Sequence, residues 1–469
     1  MQELNLSTAP PGDELGLEQA LTEALTNFWC NPFALAQLNA RLACDYWLMS
    51  WKTSLSFMGL TVSPHAVPDE DDRRFQDKQW DRIPFFSFLK QAYLINARNL
   101  LTAIKNAAAP MSKSDRLKAE LAARALINDC SPSRFASMSP EGWSEIARTF
   151  GFNLALRWQR LLLDRSQRTA LFRIRLADTS TCLPGGNNTY LCISPGETRS
   201  AYGDLDELIR ALHPDLEQGG FLERSSAPAV VRLQMAGGEF CGNAARCAAA
   251  WVSNQYFGKR LHDGLVAYNR IREHDDGISF FIDMSGASRP LAASCKRREN
   301  EFWVEVEMPI WKRFNRAQET IAVANRLLEV TKVELEGIVH ILIDRHMLPF
   351  TRSPEEQRKL LQDIERQLSL QEEPAIGLIW HDDDRKPAID PVVYVRKTGS
   401  FVYESACGSG SLALAAVRAT GNDADEVAIV QPSGSTIACR IAKKADGTLK
   451  RAFISGPVEI KDDFRVPSP

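Results

Sequence analysis

The strongest constraint on how this 469-residue chain can fold is a motif that occurs twice. Gly238-Glu239-Phe240-Cys241-Gly242-Asn243-Ala244-Ala245-Arg246-Cys247 runs into Ala248-Ala249-Ala250-Trp251-Val252. Glu404-Ser405-Ala406-Cys407-Gly408-Ser409-Gly410-Ser411 runs into Leu412-Ala413-Leu414-Ala415-Ala416-Val417. Aligned on Cys241 and Cys407, both read cysteine, glycine, small residues and then an apolar helix, 166 positions apart. That is the pattern of an internal duplication. It predicts two similar α/β lobes, each presenting a cysteine at a helix N-terminus to a shared cleft.

A thiol at a helix start faces unpaired backbone N–H groups and the positive end of the macrodipole. Both effects favour the thiolate, the reactive form of cysteine. A lone Cys-Gly before a helix is ordinarily a small buried residue at a turn. Two in matching contexts point instead to opposed acid/base groups. With a thiolate on one face of a carbon and a thiol on the other, the first removes a proton and the second returns one, which inverts the centre. The α-hydrogen of an amino acid is a very weak acid, so the developing enolate-like carboxylate needs stabilising. Backbone N–H groups at helix N-termini supply this. Gly242-Asn243 and Gly408-Ser409-Gly410 therefore read as carboxylate cradles as well as helix starts, their glycines allowing close backbone approach.

Over about residues 170–462 the chain resembles the diaminopimelate epimerase family, cofactor-independent amino-acid racemases and epimerases that use two cysteines. The two cysteine motifs carry the resemblance. Gly186-Asn187-Asn188-Thr189 is similar to the family's early substrate loop, Gly337-Ile338-Val339-His340 to its mid-chain Gly-Asn-Pro-His, and Gly456-Pro457-Val458 to its closing segment. Within the family, the motifs around Cys241 and Tyr403–Gly410 look most like the histidine racemases of opine-metallophore (staphylopine-type) pathways. The resemblance implies two pseudo-symmetric lobes, no cofactor and no metal. It makes Cys241 and Cys407 the two bases. Asn187, Gly242, Asn243, Gly408 and Ser409 would hold the α-carboxylate and α-amino group, with Glu404 and His340 near the thiols or the amino group. A satisfied structural histidine remains an open reading for His340, as do surface and loop-orienting readings for Glu239. Cys247 reads as packing.

The departures bear on the substrate. Diaminopimelate epimerases carry Glu-Arg-Gly before the second motif, whose arginine grips a distal carboxylate. Here the stretch is Arg396-Lys397-Thr398-Gly399, and the acidic residue stands three positions before Cys407. Ile338 replaces the asparagine of Gly-Asn-Pro-His, and Met235-Ala236-Gly237-Gly238 replaces an Asp-Gly-Ser. The contacts for a second amino-acid group are missing or moved, which disfavours diaminopimelate and leaves the α-amino-acid end largely intact. Histidine is the best single substrate reading. Diaminopimelate or another amino acid is the alternative within the class.

Composition narrows the other classes. A formal net charge of −3 implies no global attraction to nucleic acid or an anionic membrane. Met1–Leu15 is polar and acidic, without the apolar core of a secretory signal, and no apolar run approaches the ~20 residues of a membrane span. The ten cysteines are irregularly spaced with no C-x-x-C pair, and the seven histidines lack metal-ligand spacing. There is no phosphate-binding or dinucleotide fingerprint. A cytoplasmic protein is expected, its reducing surroundings suiting two working thiols.

The pattern changes near residue 165, where an all-α region gives way to short strands and helices. The reading is a helical domain over 1–165 and racemase lobes over 166–310 and 311–469, dividing near Met308-Pro309. Helices are expected over Leu17–Leu60, Phe85–Asn106, Lys113–Asn128 and Gly142–Leu163. Asp72-Arg73-Arg74-Phe75 through Trp80, Pro84–Leu94 and Ser131-Pro132-Ser133-Arg134-Phe135 resemble the N-terminal region of polyhydroxyalkanoate synthases, over roughly 25–160. The Gly-x-Cys-x-Gly nucleophile elbow of those synthases is absent. Phe75, Trp80, Phe85, Phe86, Phe88 and Tyr93 either pack a helical core or form a contact surface. The latter would serve a homodimer, a protein partner or a polymer granule. A reading of another class follows: an adapter that works through its helical domain.

Overall fold

The computed structural model describes residues 16–134, 176–193 and 202–467, apart from short breaks in loops. The helix expected over 142–163 lies outside the described residues, as does most of 135–141. The chain divides by contacts near residue 178 into a helical unit, which takes in 202–211, and an α/β unit of Asp178–Pro195 and Leu212–Arg465.

The helical unit contains α1 (Leu17–Trp29), α2 (Pro32–Phe57), the short α3 (Gln79–Arg82), α4 (Pro84–Ala108), α5 (Lys113–Asp129) and α6 (Tyr202–Leu212). The continuous run expected over Leu17–Leu60 is broken at Asn31. Its Oδ1 accepts from the N–H groups of Phe33 (3.1 Å) and Ala34 (3.2 Å), and Pro32 takes the first helical position. Ser112 caps α5 by accepting from the Asp115 N–H. α4 packs against α1, α2, α3 and α5 and is the centre of the unit. The aromatic segment splits between the two roles expected for it. Phe75, Trp80 and Phe86 are buried, with Trp80 edge-on to Phe75 at 5.0 Å and to Phe86 at 5.6 Å, whereas Phe85 and Phe88 are exposed.

In the α/β unit, eight strands close on themselves. They are β1 (Leu176–Leu183), β2 (Thr189–Cys192), β3 (Gln218–Glu223), β4 (Val231–Met235), β6 (Gly277–Met284), β7 (Leu291–Arg297), β8 (Phe302–Glu307) and β17 (Leu449–Lys461). β17 closes the ring by pairing with β8 through Phe453–Val458 and with β1 through its last three residues. The short β5 (Arg272–His274) hangs on β6, and β15 (Asp425–Val430) and β16 (Thr436–Lys443) extend the sheet beyond β17. The helix that follows Cys241, α7 (Gly242–Gly258), touches β2, β3, β6, β7, β8 and β17 and is almost wholly buried. An eight-stranded ring is only wide enough for side chains unless the helix inside is slim. Ala244, Ala245, Ala248, Ala249 and Ala250 make it so.

Six further strands form a second sheet: β9 (Asn315–Val323), β10 (Arg326–Leu335), β11 (Ile338–Asp344), β12 (Ala375–His381), β13 (Ile389–Val395) and β14 (Ser400–Tyr403), in sequence order across the sheet. β11 and β12 run parallel, joined through α8 (Pro354–Gln367). Leu360, Leu361 and Ile364 of α8 pack on one face, against Val339, Ile341 and Trp380. The other face, with Ile338, Leu342 and Ile379, packs with α9 (Gly408–Arg418), the helix that follows Cys407.

The sheets do not follow the division expected at residue 310. Residues 425–461, placed by the sequence reading at the end of the second lobe, pair into the sheet of the first. A strand's alternation shows which face is buried, not which strand it will pair with. Replacing Trp80 by Ala should cost the helical unit about 3–5 kcal/mol. Urea unfolding followed by far-UV circular dichroism should show this loss while the α/β unit keeps its own transition.

Candidate active site

Both motif cysteines cap their helices with the same backbone. Cys241 precedes α7 at φ −134°, ψ 115°, and Cys407 precedes α9 at φ −132°, ψ 106°. Each leaves the first amides of its helix without intrahelical acceptors. The glycine after each is required by close approach. A Cβ on Gly242 would fall 2.6 Å from Ile454 Cδ1, and one on Gly408 would fall 2.7 Å from the same atom. One side chain of β17 therefore seats the starts of both helices.

Polar contacts complete the junction. The Ala406 carbonyl, next to Cys407, accepts from Asn187 Nδ2 and from Asn243 Nδ2, both at 3.1 Å. Asn187 occupies a left-handed conformation (φ 57°) after Gly185-Gly186. Its N–H donates to Glu217 (3.1 Å) and to Ser405 Oγ (2.6 Å), while Glu217 also accepts the N–H and the hydroxyl of Ser405. Inside the ring, the buried Arg246 donates to Asn243 Oδ1 (3.1 Å) and to the carbonyls of Pro184 (3.2 Å) and Pro457 (2.9 Å). Burial brings its pKa down to about 10, so it stays charged at neutral pH.

The thiols differ in their partners. The Cys241 thiol donates to Gln218 Oε1 at 3.0 Å, and Gln218 Nε2 is held by Thr189 Oγ1. Cys407 Sγ accepts from the Gly410 N–H at 3.4 Å and lies 3.6 Å from Ser409 Oγ. The Cys407 N–H donates to Gln431 Oε1 at 2.9 Å.

The expectation of thiolates stabilised by helix termini is corrected by burial. Burial pushes Cys241 up to about 12, with the charges of Glu404 and Glu239 adding to it. Burial also raises Cys407 well above its ordinary value, and Glu404 adds to that rise through its charge and a hydrogen bond. The amides of Ala244 and Gly410 act on the two sulfurs in the expected direction, but desolvation and nearby carboxylates outweigh them. Glu404 is itself lifted to about 7, first by burial and then by Glu217 and Glu239, against the lowering effect of its hydrogen bond with Cys407. Two protonated thiols thus share a carboxylate that titrates near neutrality.

Cys241, Gly242, Asn243, Asn187, Glu404, Cys407, Gly408 and Ser409 converge on this junction. The side-chain amides of Asn187 and Asn243 are engaged with Ala406. His340 lies on β11, on the face it shares with Ile338 and Leu342, its ring against Gly377. Burial lowers it to about 3, so it is neutral, and neither ring nitrogen has a hydrogen-bond partner among the described residues. Sequence reasoning did not single out Glu217, Gln218, Ser405, Gln431 or Arg246. Arg246 left a signal, as the one charge in an otherwise apolar helical run. Glu217 and Gln218 left none, since they open a strand far from both motifs. No cluster of three or more metal-ligating side chains occurs among the described residues.

The model of the family described as histidine racemase CntK N-terminal domain matches residues 180–463. That of the poly-beta-hydroxybutyrate polymerase (PhaC) N-terminus matches residues 71–201. A histidine racemase of Fusobacterium nucleatum subsp. nucleatum is 29% identical over 231 residues, covering 49% of this chain and 75% of that protein. The poly(3-hydroxyalkanoate) polymerase subunit PhaC of Rhizobium meliloti is 26% identical over 187 residues, covering 40% of this chain but only 30% of the polymerase. Among solved structures, a hydroxyproline epimerase from Agrobacterium vitis aligns with a TM-score of 0.45 at 14% identity, over 62% of this chain and 92% of that one.

Gly408→Ala should weaken both stability and turnover, because its Cβ meets Ile454 Cδ1. Ile454→Val removes that atom, and the double variant should recover most of the loss; thermal melting and turnover together check this. Glu404 gives a second test. Its folded pKa of about 7 lies above the ordinary 4.5, so its stabilising contribution is complete below about pH 4.5 and is lost as pH rises through 7. Glu404→Gln should therefore melt higher than the native chain at pH 8, with the gap closing towards pH 4.

Proposed function

The chain belongs to the histidine racemase family, and from that premise we propose that it inverts the α-carbon of histidine with Cys241 and Cys407 as its two bases. It is an isomerase of the racemase class. What supports the two-base reading is the shared cap geometry of the two cysteines, their glycines meeting over the single side chain of Ile454.

The protons balance as follows. Glu404 takes the Cys407 proton, leaving a thiolate that removes the α-hydrogen from one face of the substrate. Cys241, still a thiol, delivers its own proton to the opposite face. The carbanion's charge resides on the substrate carboxylate, where the first amides of α7 and α9 oppose it without needing side-chain charge. The protonation states of the thiols end exchanged, and the other enantiomer is processed by the same steps in reverse. The carboxylates of Glu239 and Glu404 make the surroundings acidic. This suits a substrate bearing an imidazole beside its α-ammonium group and disfavours a second carboxylate. Such an ammonium cation would also ease ionisation of the thiols. D-Histidine made here would serve opine-type metallophore synthesis, and the cytoplasm would keep the thiols reduced.

The test is α-proton exchange in D2O with purified, reduced protein and a panel of L-amino acids including histidine and LL-diaminopimelate. Deuterium uptake with formation of D-histidine supports the proposal. Exchange with another amino acid alone refutes the substrate and leaves the mechanism standing. Cys241→Ser and Cys407→Ser should each lose on the order of 10²–10⁴-fold in turnover while still binding ligand; native rates in either would overturn the two-base mechanism. Because Glu404 must be ionised to accept the thiol proton, kcat/KM should climb as pH rises through about 7. Glu404→Gln should abolish that limb.

A further inference from the structure

The 26-residue helix α2 carries an exposed stripe that nothing in the racemase reading uses. At about 100° per residue, Phe33, Ala36, Ala40, Cys44, Trp47 and Trp51 fall within about 50° of one line along the helix. All six are exposed, with Phe33 at 76%, Trp47 at 65% and Trp51 at 56%. Trp47 and Trp51 stack on each other at 6.3 Å, outside any core. The stripe bears no charge. Its small residues occupy the N-terminal half of the helix, and its two tryptophans the C-terminal half.

We propose that this face is a homodimer interface, in which α2 packs antiparallel on α2 of a second copy across a two-fold axis between residues 43 and 44. That register sets Trp47 over Ala40 of the partner subunit, Trp51 over Ala36 of the partner subunit, and Ser54 against Phe33 of the partner subunit. Every large side chain meets a small one, and the two-fold repeats each match, as an isologous contact requires. The small residues allow the roughly 8–10 Å interaxial spacing of packed helices. Exposed aromatics carry roughly 150–250 Å² apiece. Phe33, Trp47 and Trp51, with the small residues between them, offer about 500 Å² per copy, so the pair reaches the roughly 1,000 Å² at which a specific interface begins. A lipid-facing helix would carry lysines and arginines beside its apolar stripe. α2 has only Arg41 and Lys52, opposed by Asp45.

Sedimentation velocity on the full reduced chain should show a dimer, and Trp47→Glu with Trp51→Glu should convert it to monomer without changing its circular dichroism. Ala36→Trp separates shape from stickiness. It should also give monomer, because large then meets large, whereas a merely adhesive surface would bind more tightly. Cys44 lies beside the axis, so in a Cys30→Ser, Cys130→Ser background mild copper–phenanthroline oxidation should produce a species of twice the chain mass. Cys44→Ser should remove it. A monomeric native chain, a dimer that survives the double glutamate variant, or a monomer that binds poly(3-hydroxybutyrate) particles through Trp47 and Trp51 would each overturn the proposal.

Discussion

One backbone carbonyl, that of Ala406, joins the two cysteine motifs. It receives an amide from the loop at Asn187 and another from the first turn of α7 at Asn243. The residue that carries it is the one before Cys407. Buried polar groups are expensive when unpaired, so a network of this kind is sound only when complete. Arg246 secures Asn243 from inside the ring, and Glu217 secures Asn187 and Ser405 from outside it. The positions of both thiols follow from this arrangement. Removing any one of these side chains would strand its partners in a region with little access to water.

The same enclosure decides the chemistry of the sulfurs. A helix N-terminus lowers a thiol's pKa only while the surroundings remain polar enough for the charged form. Here the amides of Ala244 and Gly410 are aimed correctly, yet burial and the carboxylate of Glu404 prevail. On the proposed two-base reading this makes a relay in place of a standing nucleophile. Glu404, lifted to about 7 by its own burial, is the carboxylate hydrogen-bonded to Cys407 and takes up or gives back a proton near neutral pH. On that reading the first amides of the helices would serve the substrate carboxylate more than the resting sulfurs.

What the sequence made legible was local. The duplicated motif announced two capped helices, and Cys241 and Cys407 do share one backbone conformation. The apolar spacing of Phe85–Asn106 located α4 within two residues at each end. Long-range pairing was not legible. Nothing in Phe453–Val458 says that it will pair with β8 and close a ring around α7, because the partner strand lies about 150 residues earlier. Gln218 and Gln431 hold the thiol of Cys241 and the amide of Cys407, but glutamine is common on strands and stands out only once the fold has brought it to a sulfur.

The near-identity of the two caps contrasts with the inequality of their surroundings. Cys241 is partly exposed and leans on Gln218, whereas Cys407 is buried beside Glu404 and Ser409. Racemisation interconverts enantiomers of equal free energy, so its equilibrium constant is one. Thermodynamics then requires kcat/KM to be the same in both directions, however unequal the two thiols are. The asymmetry can appear only in how each direction divides that ratio. Under the proposed two-base reading, the enantiomer whose α-hydrogen faces Cys407 would meet the thiol already paired with its proton acceptor. On the same reading the other would need Cys241 ionised, and that thiol has no hydrogen bond to Glu404. A site made by duplicating one cap is thus free to bind its two enantiomers with different affinities, provided that turnover changes in proportion.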